Sequence, residues 1–150
     1  MTFGGVFSVL PTPFGPSGDL DSDSLKRVID LFIAGGVDGF TALGVTSEVT
    51  RLTEPERDRV LSEVLAHVNG RVPVVAGTTA EGLRTCMAYT RRAKAAGAAA
   101  VMISPPRMAK VNSDAAAKHF AAVAAAVTSQ SSCRTIRPFP AMRWSRRHAG

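Results

Sequence analysis

The chain has 150 residues, enough for one ordinary domain, and 45% of them are apolar, which suffices for a normal core and excludes a disordered polypeptide. Its net charge of +6 is local: up to Cys133 there are 13 Lys and Arg against 12 Asp and Glu, and the other five cations, Arg134, Arg137, Arg143, Arg146 and Arg147, lie in a stretch with no acid. Two cysteines, no cationic leader with an apolar core and no apolar run of membrane-spanning length argue against a disulfide framework, a zinc site, a secreted protein and a membrane span, and leave a cytoplasmic protein with reduced thiols.

In chain order, short runs of Val, Ile, Phe and Ala bounded by Gly or Pro alternate with helical patterns, the signature of consecutive βα units. A first strand is predicted over Gly5 to Leu10. A helix over Ser22 to Ala34 follows, with Leu25, Val28, Ile29, Phe32 and Ile33 on one stripe and Gly35 and Gly36 at its end. The second strand runs from Val37 to Leu43. The helix after it opens at Thr53, with Glu56 completing a capping box, Pro55 in the first turn, and Val60, Leu61, Val64, Leu65 and Val68 inward. A third strand over Val72 to Ala76 leads to a helix from Glu81 to Ala96 whose core side would be Leu83, Met87 and Ala93. The fourth strand spans Ala98 to Ile103, and an Ala-rich helix over Ser113 to Val127 places Ala116, Phe120, Val123 and Val127 inward. Strand starts recur about every thirty residues, one βα unit apart.

In such folds ligands bind at the C-terminal ends of parallel strands, so the loop after the second strand, Gly44-Val45-Thr46-Ser47-Glu48, is the candidate site. Its small residues let N–H groups and hydroxyls converge on a carboxylate or phosphate; a polar turn leading into a capped helix is the structural alternative.

Pro11-Thr12-Pro13-Phe14 ends the first strand, Gly18-Asp19-Leu20-Asp21 follows, and Gly35-Gly36-Val37-Asp38-Gly39 precedes the second; together with the loop, in this order and spacing, they resemble the opening of the dihydrodipicolinate synthase and N-acetylneuraminate lyase family. Val72-Pro73-Val74-Val75-Ala76-Gly77-Thr78 is similar to its third strand, Ala96-Gly97-Ala98 to the approach to the fourth, and the resemblance covers Gly5 to Val127. It implies an α/β fold of the parallel (β/α)8 barrel type, of which residues 1–127 are the first four units, a half barrel. It also implies class I aldolase or lyase chemistry without metal or cofactor, in which a 2-keto acid such as pyruvate forms a Schiff base with a sixth-strand lysine. Gly44, Val45, Thr46 and Ser47 then match the carboxylate-holding loop. Val45 takes the place of a proton-relay threonine and Ser47 that of a glycine. The fourth strand ends in Ser104-Pro105-Pro106-Arg107, where the family commonly shows Pro and two tyrosines, and Arg107 is either a candidate for an anionic substrate group or a side chain lying in solvent. The resemblance further suggests a homo-oligomer.

The four lysines, Lys26, Lys94, Lys110 and Lys118, fall on predicted helices or the loop before the fourth, where an amine stays protonated and forms imines poorly. The 150-residue chain is therefore expected to be truncated and catalytically incomplete. Residues 128–150 form an irregular basic tail without strand periodicity. Read from each third base of a GC-rich gene, with permitted codons, Val127 to Pro140 becomes a Pro-started run of three valines and a Tyr-Pro turn, similar to the family's fifth strand; the tail then reflects a frameshift. The alternative is a non-catalytic α/β module whose basic arm, with Phe139 and Trp144 to stack, holds nucleic acid.

Overall fold

The computed structural model describes residues 4–106 and 113–128. The elements, in order, are β1 (Phe7–Val9), α1 (Ser22–Ala34), β2 (Gly39–Ala42), α2 (Glu54–Val68), β3 (Val74–Gly77), α3 (Leu83–Ala96), β4 (Ala100–Met102) and α4 (Ser113–Thr128), with two short 3-10 turns between β2 and α2. The four strands form one parallel sheet in sequence order, β1-β2-β3-β4. Each strand is shorter than the apolar run that announced it, because the flanking residues leave the ladder for the turns into and out of the helices.

The register sorts the strand residues onto two faces. Phe40, Ala42, Val74 and Ala76 meet Leu25 and Ile29 of α1 and Val60, Leu61, Val64 and Val68 of α2 in one core, with Ala93 of α3 joining them. Phe7, Val9, Thr41, Val75 and Met102 alternate onto the other face, and the Phe7 ring lies over Gly39 so closely that a Cβ there would sit 2.2 Å from it. In a closed βα barrel that second face is the interior.

The helix ends follow local chemistry. Asp21 caps α1 by accepting from the Ser24 N–H at 2.9 Å. At α2 the expected capping box forms: the Glu56 carboxylate accepts from the Thr53 N–H and hydroxyl, both at 2.7 Å. Asn69 and Gly97 close α2 and α3 in the left-handed conformation. Between α1 and α2, Asp30 accepts from Arg71 and faces His67, each at 2.9 Å.

Two expected helix faces need correction. The buried side of α3 is Cys86, Thr90 and Ala93; Leu83 is exposed and Met87 only half-buried. The small residues face inward because α3 packs against both α2 and α4. On α4 the buried residues are His119, Val123 and Ala126, while Phe120 is exposed. An Ala-rich helix gives no strong apolar stripe, so its orientation follows the fit against α3. Thr128, expected to begin the tail, is the last residue of α4; residues 129–150, Cys133 among them, and Arg107 and Lys110 lie outside the described residues. Among those described, no helix is long and apolar enough to cross a membrane.

The α2 cap makes a measurable prediction. Thr53→Ala should destabilise the chain by about 1 kcal/mol in urea unfolding. The Thr53 N–H and hydroxyl hold the Glu56 carboxyl below its ordinary value, so its contribution is present above the unfolded carboxylate pKa and lost as pH falls through the folded one. The gap between wild type and Thr53→Ala should therefore narrow as the pH is lowered through the carboxylate range.

Candidate active site

The loops leaving β1, β2, β3 and β4 meet at one end of the sheet. β2 is followed by a left-handed residue, Leu43, at φ 56°, and after Gly44 the residues Val45–Ser47 form a 3-10 turn that Glu48, also left-handed, terminates. For a residue with a side chain this conformation costs about 1–2 kcal/mol, so the surroundings must hold it. They do so through Gly77. A Cβ on that glycine would lie 2.0 Å from the Leu43 carbonyl oxygen, so only glycine admits the approach.

The expected site residues are brought together as one turn but in different states. Val45 is 91% exposed and Thr46 is exposed, whereas Ser47 is 1% exposed. The Ser47 hydroxyl donates to the Leu10 carbonyl and accepts from the Gly44 N–H at 3.1 Å. No described residue accepts from the N–H groups of Val45 and Thr46, which open the turn. The arrangement thus presents two neighbouring N–H groups and the Thr46 hydroxyl, a set of donors suited to a small carboxylate.

Sequence reasoning missed three residues. Thr12 is buried just past β1 and donates to the Ser47 carbonyl oxygen at 2.7 Å. Arg57 is buried on α2, its guanidinium 4.3 Å from the Tyr89 ring centroid and within 3.4 Å of the Gly77 and Val49 carbonyls. Burial lowers its pKa from the ordinary value. The signal was available, since Arg57 continues the inward stripe of Val60, Leu61 and Val64 by one turn. His119 is the third; its buried Nε2 has no partner among the described residues, and the ring stands edge-on to Phe120 at 5.9 Å. Tyr89, beside Arg57, donates to Glu54 at 3.1 Å, and burial followed by that bond raises its pKa.

The third and fourth loops are tied as well. The Thr78 N–H donates to the Met102 carbonyl at 3.0 Å and the Ser104 N–H to the Thr79 hydroxyl at 2.9 Å. Thr78 and Thr90 share a buried hydroxyl contact at 3.0 Å. Lys26 and Lys118 are exposed on α1 and α4 and Lys94 is half-buried on α3, so none of these amines sits on a strand. Among the described residues no three His, Cys, Asp or Glu side chains converge to hold a metal.

Parallel βα units in sequence order, with a donor-rich turn at the strand ends, define the class: a part of a (β/α)8 barrel with its ligand loops at the C-terminal end. The match to the family described as dihydrodipicolinate synthetase covers residues 2–132, and the chain belongs to that family. It is 42% identical over 125 residues to 4-hydroxy-tetrahydrodipicolinate synthase of Xanthomonas axonopodis pv. citri, covering 83% of this chain and 41% of that protein. It is 43% identical over 102 residues to L-2-keto-3-deoxyarabonate dehydratase of Azospirillum brasilense, covering 68% of this chain and 33% of that one. The crystal structure of the chloride-inhibited dihydrodipicolinate synthase from Acinetobacter baumannii, complexed with pyruvate, superposes with a TM-score of 0.81 at 31% identity, over 84% of this chain and 43% of that one. The chain thus spans well under half the length of these relatives, and its four-stranded sheet is a partial barrel.

The Gly77 contact is directly testable. Gly77→Ala sets a methyl group against backbone rather than against a yielding side chain, and should lower stability by about 3 kcal/mol in thermal or urea unfolding.

Proposed function

We propose that this chain carries the N-terminal part of the keto-acid site of a Schiff-base-forming pyruvate aldolase or lyase, making or breaking a C–C bond, and that the 150 residues alone are catalytically incomplete. The observation that carries the reading is the turn of Gly44 to Ser47 at the C-terminal end of β2, where the N–H groups of Val45 and Thr46 find no acceptor among the described residues. The Acinetobacter relative was crystallised with pyruvate, and the Azospirillum relative is named for a 2-keto sugar acid. A 2-keto carboxylate is common to both, and is the group such a turn would hold.

In this reading the site is divided along the chain. Gly44, Val45 and Thr46 bind and orient the carboxylate through backbone donors and one hydroxyl, with Ser47 shaping the turn, and Arg107 meets an anionic group of the second substrate. Val45 has no proton to relay, so proton transfer falls to another group or to water. The nucleophilic amine belongs to a later strand: in the family resemblance it sits on the sixth, and the described sheet has four. Residues 1–127 form the half barrel and residues 128–150 a basic extension of separate character. The protein with its full complement of strands works in the cytoplasm as a homo-oligomer.

Borohydride reduction in the presence of pyruvate, read by intact-protein mass spectrometry, tests this. The 150-residue chain should give no stoichiometric adduct. A chain continued past Val127 with the C-terminal portion of the Xanthomonas axonopodis relative should give one per barrel. An adduct on Lys26, Lys94, Lys110 or Lys118 of the short chain would make it an aldolase in its own right and overturn the divided site.

A further inference from the structure

The hydrogen bonds around Ser47 point to a device specific to this turn. Glycine at this place would leave the turn held by Ser47 N–H to Gly44 and Glu48 N–H to Val45, each at 3.1 Å, and by the Thr12 hydroxyl on the carbonyl of residue 47 at 2.7 Å. The serine adds two links through a side chain that is almost wholly buried. Its hydroxyl proton goes to the Leu10 carbonyl and its lone pair takes the Gly44 N–H, while its own carbonyl receives the Thr12 hydroxyl. Leu10 is itself paired to β2 through its N–H and the Thr41 carbonyl at 3.0 Å. The segment just past β1 and the turn past β2 are therefore joined by two reciprocal rungs, Thr12 to Ser47 and Ser47 to Leu10, both inside the protein.

We propose that Thr12 and Ser47 are positioning residues that form a clasp holding the N–H groups of Val45 and Thr46 in a fixed attitude toward a carboxylate. The proposal rests on the keto-acid reading of the turn for its ligand, and on the hydrogen bonds alone for its mechanics. Neither side chain touches the ligand. Thr12 is 6% exposed and Ser47 1%, and their hydroxyls are occupied by the chain. What they fix is the angle between two short peptide segments. A buried hydroxyl that loses its acceptor must either stay unsatisfied or rearrange, so the clasp closes in one geometry. Donors held in that geometry before the ligand arrives lose less ordering entropy when it binds. The turn carries two left-handed residues, Leu43 and Glu48, and a loop under such strain has other conformations within reach unless something pins it.

The test uses nitrogen-15 spectra of the full 150-residue chain, with pyruvate as the probe, for wild type, Ser47→Ala, Thr12→Val and Thr12→Ser. Without ligand, Ser47→Ala should speed hydrogen exchange of the Gly44 amide at least about tenfold, while the amides of Ile29, Val64 and Ala76 keep their protection. With pyruvate, the shifts of the Val45 and Thr46 amides should saturate at concentrations at least about fivefold higher in Ser47→Ala and Thr12→Val, and Thr12→Ser should return to within about twofold of wild type. Thermal midpoints of all four separate a loosened turn from an unfolded chain, and Thr12→Ser keeps the test open where Thr12→Val does not fold. Unchanged Gly44 exchange in a folded Ser47→Ala chain overturns the clasp. So does a Thr12→Val titration identical to wild type. If wild type shows no pyruvate-dependent shift, the keto-acid reading fails, and the exchange of Gly44 still decides whether the clasp exists.

Discussion

At the end of β2 the Leu43 carbonyl crosses Gly77 so closely that a Cβ there would lie 2.0 Å away, and the C-terminal end of the sheet is arranged around that crossing. Leu43 is left-handed at φ 56°, which turns the chain sharply out of the strand and starts the 3-10 turn of Val45–Ser47. The Gly77 carbonyl, in turn, lies 3.4 Å from Arg57, a cation that a helix would ordinarily send to solvent. Arg57 reaches Val49 on the far side of the turn and stacks on Tyr89 from α3, a contact of about 0.5–2 kcal/mol depending on its exposure. One close backbone contact and one buried guanidinium thus connect β2, β3, α2 and α3 beneath the candidate site.

The same logic explains why binding groups gather at this end. Along the inner strands β2 and β3 the N–H and C=O groups are directed into ladders on both sides, and the helices cover one face with a single core. At the strand ends the ladder stops, and the backbone groups must find other partners or a ligand. Thr12, Ser47 and Thr79 supply hydroxyls for many of them. The N–H groups of Val45 and Thr46 find no acceptor among the described residues, and they are adjacent. An anion placed there meets two donors whose other interactions are already settled, the condition for recognition without large rearrangement.

Much of the fold was legible because it depends on repetition. The capping box of Thr53 and Glu56, the stripe of Leu25 and Ile29, and the βα spacing are local patterns whose physics acts within a few residues. The faces of α3 and α4 were less legible. Ala93 was expected inward and is, whereas Cys86 and Thr90 read as indifferent in a periodicity argument; small size is what lets neighbouring helices approach, and Leu83 falls outside that contact. The turn at Gly44 stood out as a candidate site from its position after a strand. The role of Ser47 was not, since its partner Leu10 lies 37 residues earlier and becomes a neighbour only when β1 pairs with β2. Arg57 was hidden by its charge, although its spacing placed it inward.

A division between binding and chemistry fits the architecture. In the proposed reading, groups at the ends of β1 and β2 hold the carboxylate, because the hydrogen bonds of Ser47 that shape the turn run between those two strand ends. An imine-forming amine does something different: it must be unprotonated, desolvated and aimed at a carbonyl carbon that the carboxylate anchor has already placed. That demands a second wall opposite the first, and the face carrying Val9, Thr41 and Met102 is the side of the sheet on which a closed barrel provides one. Holding the substrate without that wall binds ground state and transition state alike, which raises occupancy and leaves the rate where it was. In the proposed reading this chain accordingly contributes orientation, and acceleration enters only when the later strands bring the amine to the carbonyl.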